Sequence, residues 1–119
     1  MLSDRDDLEF LPESLRKISR SDREIVLPFD QALEAIQYLE AQGIRILGWE
    51  GWLLFPDGVM GSSAAHQGTV SLDGLSSAEA AALVRRTIEE SHATWLRAPE
   101  TPGAQLFYCI TSTGQPGEY

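Results

Sequence analysis

Ile44 to Phe55, read as Ile-Arg-Ile-Leu-Gly-Trp-Glu-Gly-Trp-Leu-Leu-Phe, is apolar at nearly every position and is bounded by Gly43 and Pro56. Alternation along an extended chain places Ile44, Ile46, Trp52 and Leu54 on one side and Leu47, Trp49, Leu53 and Phe55 on the other. A strand that is apolar on both sides reads as a central strand, yet two helices alone would leave one face of the sheet for solvent or a partner, and that exposed face is a first candidate surface. Gly48 and Gly51 bracket Glu50 within the strand, which predicts a β-bulge or the close approach of another backbone.

The flanking segments supply the rest of a small sheet. Glu24 to Leu27 is β-branched enough for a brief strand, and Pro28, which cannot donate to a ladder, ends it and points to an edge. Asp30 is positioned to cap a helix in which Ala32, Leu33, Ala35, Ile36 and Leu39 share one side until Gly43 offers a left-handed stop. Pro56-Asp57-Gly58 has the chemistry of a tight turn, so Val59 to Ser62 runs back along the central strand. A second reversal is expected around Ala64 to His66, leading into Gln67 to Asp73.

Ser76 and Glu79 have capping-box spacing before a long helix carrying Ala80, Leu83, Val84, Thr87, Ile88, Ser91 and Trp95 at helical period. Pro99 and Pro102-Gly103 close it, and Leu106 to Thr111 reads as the last strand. The order β-α-β-β-(β)-α-β predicts an α+β fold, a single mainly antiparallel sheet packed by two principal helices, with a split βαβ ferredoxin-like topology as one candidate. Residues 1–24 form a charged arm or peripheral helix, in which Pro12 starts a short helix and Phe10, Leu11, Leu15 and Ile18 can dock. Residues 25–113 form one α+β domain, and residues 114–119 read as a mobile tail.

Charge narrows the partners. Eighteen acidic residues against nine basic ones give a net charge of −9, with eleven acids against four bases falling in residues 25–119. That field repels phosphate backbones, so no nucleic-acid partner is expected, and it speeds encounter with a basic protein, although acidity also simply confers solubility. Cys109 is the only cysteine, which leaves no intramolecular disulfide and suits a reducing compartment. An acidic start without an apolar run, and no long apolar stretch elsewhere, predict a cytoplasmic protein with no membrane partner.

Catalytic chemistry finds little to work with. A nucleophile needs a base and an orienting group, and the two histidines are His66, in an expected loop beside Ser62, Ser63 and Gln67, and His92, near a helix end where the dipole favours it. No His, Cys, Asp or Glu pattern has metal-ligand spacing, and no glycine loop carries the Lys and hydroxyl of a phosphate cradle, so neither metal nor cofactor is expected. Surface features are richer. Glu34, Gln37 and Glu40 lie along one side of the first long helix, where either a solvated face or a docking face accounts for them. Glu50 is costly to bury unless paired, for instance with Arg45, Arg85 or Arg86; otherwise it joins Trp49 and Trp52 on a partner-facing surface.

The run ILGWEGWLLFPDGVMGSS followed by HQGTVSLDGLSSAEA resembles bacterial polymorphic-toxin immunity proteins of the group called immunity protein 40. The resemblance covers about Asp30 to Trp95. It implies a small α+β protein made beside a toxin, which binds that toxin's effector domain and blocks it in the cytoplasm of the producing cell. The group has no catalytic residues to carry over. An immunity protein that grips a basic toxin domain through Glu34, Gln37, Glu40, Trp49, Glu50 and Trp52 is therefore the leading expectation. A small hydrolase around His66 and an adaptor that self-associates as a homodimer are the alternatives.

Overall fold

A computed structural model of the chain describes residues 7–69 and 74–113. The apolar run becomes β2 (Ile46–Leu54), paired antiparallel with β3 (Met60–Thr69) on one side and β4 (Gln105–Ser112) on the other. β4 pairs antiparallel with β1 (Ile25–Leu27), giving a four-stranded order of β1-β4-β2-β3 among the described residues. The short α1 (Glu13–Arg16) and the longer α2 (Phe29–Ala41) and α3 (Ser77–Arg97) share one core cluster with one side of this sheet. The fold is thus α+β, with an antiparallel sheet and two principal helices. The split βαβ topology departs from the ferredoxin-like candidate, which centres the first and third strands. Here the two long strands rich in large apolar residues, β2 and β4, take the centre. The Pro-terminated β1 and the Ser- and Gly-rich β3 take the edges, where unpaired backbone costs least.

Local signals explain the helix ends. α2 follows Pro28 with no side-chain cap, so Asp30 stands in the first turn and complements the helix dipole there instead of capping. At the other end Gly43 adopts φ 74°, its N–H donates to Glu40 O at 2.9 Å, and Ile44 N–H donates to Leu39 O at 2.9 Å. This paired closure is the Schellman arrangement that a C-terminal glycine permits. α3 opens with the full capping box: Glu79 N–H donates to Ser76 Oγ at 3.1 Å, and Ser76 N–H donates to Glu79 Oε1 at 2.9 Å.

The N-terminal segment is docked. Leu8, Leu11 and Leu15 are buried in the main core, while Ile18 is 41% exposed. Gln42 Nε2 donates to Phe10 O at 2.6 Å, tying this segment to the end of α2. Past α1 the chain wraps the free edge of β1. Val26 N–H donates to Ser19 Oγ at 3.0 Å, and Arg20 N–H donates to Val26 O at 2.9 Å. Those two bonds occupy backbone groups that another strand would otherwise pair with.

Two irregularities decide which way the side chains of β2 point. Against β4 the register passes from Ile46↔Ser112 to Gly48↔Thr111, so Leu47 is one extra residue. An extra residue reverses the alternation that follows. Ile46 therefore joins Trp49 and Leu53 in the helix-side core, while Trp52 and Leu54 pack on the other side with Val26, Phe107 and Cys109. Uninterrupted alternation had put Ile46 with Trp52 and Leu54. Against β3 the register passes from Glu50↔Gln67 to Gly51↔Ser63, so Ala64, Ala65 and His66 bulge out of one continuous strand. The reversal expected there is this bulge, and of the strand expected over Gln67 to Asp73 the part at 70–73 lies outside the described residues.

Glycines make room for the bulge. A Cβ on Gly51 would stand 2.9 Å from His66 Cβ, and one on Gly68 would run into the Trp49 indole at Nε1. Gly68→Ala should therefore displace a locked indole and destabilise the fold by about 1–3 kcal/mol in urea denaturation. In a Trp49→Phe background the same change should cost markedly less, giving a clear coupling energy in the double-mutant cycle. Equal costs in the two backgrounds would show that the contact is not what demands glycine.

Candidate functional site

The bulge drives His66 into the layer between sheet and α3. His66 is 5% exposed, and its Nδ1 is hydrogen-bonded to Ser91 Oγ at 2.6 Å; that oxygen is in turn 3.0 Å from Tyr108 Oη. Trp95 meets the His66 ring edge-on at 5.8 Å. Ser62 and Ser63, the serines expected beside His66, go elsewhere: Ser62 pairs across from Trp52 and is exposed, and Ser63 Oγ donates to Glu100 Oε1 at 2.6 Å. Burial pushes the Tyr108 phenol above its ordinary pKa of 10.0, and the Ser91 hydrogen bond offsets part of that rise. This chain of three side chains joins β3, α3 and β4 and satisfies polar groups that would otherwise be stranded.

Trp49 belongs to the same layer. It is 6% exposed, its Nε1 donates to Thr87 Oγ1 at 2.8 Å, and its ring meets Tyr108 edge-on at 5.3 Å. A partner cannot reach it. Glu50 is exposed on the opposite side of the sheet, where Trp52 Nε1 donates to its Oε2 at 2.8 Å; Trp52 itself is half-buried. None of Arg45, Arg85 and Arg86 is its partner in an ion pair among the described residues. The two tryptophans of the Gly-Trp-Glu-Gly-Trp segment thus serve different sides.

The outer side of the sheet is cationic where it is concave. Arg16, Lys17, Arg20 and Asp22 surround a groove of about 760 Å3 that ends on Trp52. Arg20 also lies over Phe107, with Cζ 5.9 Å from the ring centroid. Residues 16–23 hold four of the nine Lys and Arg in the chain, so this side would meet acidic groups sooner than basic ones.

Across the sheet, α2 presents Glu34, Gln37 and Glu40 to solvent, with Asp30 one turn before and Tyr38 46% exposed among them. No ion pair holds Glu34 or Glu40 among the described residues. The proposed binding residues therefore divide: Glu34, Gln37 and Glu40 form one surface, Glu50 and Trp52 lie on the far side, and Trp49 is core. Beside the acidic row the fold makes a cleft of about 340 Å3 between the start of α2, the end of α3 and the start of β4. Phe29 and His92 stack there at 3.8 Å with an interplanar angle of 6°. His92 stands five residues before the end of α3, beyond the last turn, so ring stacking explains its position where the helix dipole does not. The sequence does carry one sign of the cleft, because Leu96 is apolar yet lies off the Val84, Ile88, Ser91, Trp95 stripe.

Among the described residues no three His, Cys, Asp or Glu side chains gather where a metal ion could be held, and no helix is long and apolar enough to cross a membrane. Comparison with known proteins finds no matching family model, no matching curated protein and no matching solved structure.

The Tyr108 shift has a definite sign. A phenol whose folded pKa is raised keeps its proton where the unfolded chain releases it, so the stability it contributes is complete below pH 10 and is lost as pH climbs through the folded pKa. Wild type should lose stability on moving from pH 9 to pH 11 more steeply than Tyr108→Phe, as read from denaturant midpoints. Parallel pH profiles would contradict the assignment.

Proposed function

We propose that this chain is an immunity protein, which binds the effector domain of a cognate toxin and blocks it in the cytoplasm of the producing cell. The resemblance of residues 30–95 to immunity proteins supplies the biological setting. The observation that carries the binding part is the exposed acidic row of α2: Asp30, Glu34 and Glu40, with Gln37 and Tyr38 between them. Carboxylates on a regular helix present a fixed pattern of negative potential, and an exposed tyrosine among them is a residue type that anchors interfaces. The net charge of −9 adds long-range attraction for a basic surface. Charge also selects the side. A basic toxin domain is drawn to the helices and repelled by the Arg16, Lys17 and Arg20 groove on the outer sheet.

The hydrolase reading has one observation in its favour, the 2.6 Å contact between His66 and Ser91. Both are less than a tenth exposed, and neither lines the cleft beside α2 or the groove on the outer sheet. The homodimer reading loses one of its sheet edges to the Ser19 and Arg20 bonds on β1.

Co-expression with a toxin domain encoded beside this chain should abolish toxicity and yield a complex on gel filtration. Continued toxicity with soluble protein present would overturn the proposal. With Glu34→Lys and Glu40→Lys together, the association rate should fall about tenfold or more at low ionic strength and lose most of its salt dependence. An unchanged rate would remove α2 from the encounter surface.

A further inference from the structure

Leu96 is 67% exposed, more than any other large apolar side chain described, and it lines the same cleft as the stacked Phe29 and His92 rings, one turn along α3 from His92. Isolated exposed leucines are ordinary on protein surfaces. This one differs in its setting, since the nearly buried Trp95 and Leu106 line the same concavity and give it an apolar floor, with Gln31 and Gln105 as polar lining. Its volume of about 340 Å3 is near the lower limit of small-molecule sites, which run about 300–1,000 Å3, and suits one large side chain.

The charged lining of the cleft is one-sided, although Arg85 stands further along the seam of α2 and α3, where its Nη2 donates to Leu33 O at 3.4 Å beside Glu34. Asp30 lines the cleft and no Lys or Arg does. Glu34 follows one turn along α2 from Asp30, and Glu89 precedes His92 by one turn on α3; both are exposed. We propose that this cleft is a docking socket for a large apolar side chain flanked by basic residues on a protein partner. The apolar floor takes the anchor, and Asp30, Glu34 and Glu89 meet the flanking cations. This deepens the proposed binding function and rests on it for the partner's identity, whereas the socket itself is testable without the toxin.

The probe is the capped peptide Arg-Arg-Trp-Arg-Arg, titrated into the whole chain labelled with nitrogen-15. Saturable amide shifts should centre on Phe29, His92, Leu96 and Ala104. Glu-Glu-Trp-Glu-Glu and Arg-Arg-Ala-Arg-Arg should each bind at least about tenfold more weakly, a difference of about 1.4 kcal/mol. Leu96→Lys, a change at an exposed position that should leave the melting temperature alone, should weaken the first peptide by a similar factor. Shifts centred on Trp52 and Arg20, shifts that do not saturate, or wild-type affinity in Leu96→Lys would overturn the socket. Peptide binding together with a failed toxin complex would sink the immunity reading and leave the socket standing. A toxin complex without peptide binding at the cleft would do the reverse.

Discussion

The Trp49 indole lies against the backbone of Gly68, donates to Thr87 and meets the edge of Tyr108, so one side chain joins β2, β3, α3 and β4. Full burial of an aromatic side chain contributes about 1.5–3 kcal/mol, and the hydrogen bond keeps the indole N–H from becoming a buried orphan. Its orientation depends on the parity of β2, which the extra residue Leu47 sets at the β4 side. With that parity fixed, Ile46 and Leu53 follow Trp49 into the core, and Glu50 and Trp52 are turned outward. The helix side and the outer side of the molecule acquire their separate chemistry at this step.

The three-residue bulge in β3 belongs to the same construction. It lets an edge strand rich in Ser, Gly and Ala send His66 inward, where Ser91 and Tyr108 satisfy it, and Gly51 clears the space. Polar groups in this layer go into cross-links between elements. What is left for recognition is peripheral: an acidic helix with an apolar cleft at its start, and a cationic groove on the far side. Opposite charge on opposite sides would orient a partner of the proposed kind before contact is made.

Much of the fold was legible in the chain because its signals are local. Ser76 and Glu79 announced α3, Gly43 ended α2, Pro28 marked an edge, and Gly48 with Gly51 marked the irregularities of β2. Side-chain direction was less legible. Alternation is reliable only between bulges, so a single residue at Leu47 was enough to misplace Ile46, and three at Ala64 to His66 read as a turn. For the same reason Glu34 and Glu50 looked like parts of one surface although the sheet lies between them. Nothing local in the sequence couples His66 to Ser91 or Phe29 to His92, because those meetings are set by how α3 crosses the sheet.

The proposed recognition runs through the helix side, away from the outer sheet. Hydrogen exchange on the complex with the neighbouring toxin domain reads it directly, since amides at the two sides are well separated in sequence. Docking on the helix side should add protection in residues 29–41 and 92–106 and leave 50–52 and 60–63 unchanged. Protection confined to 50–52 and 60–63, with both helices exchanging as in the free chain, would contradict it.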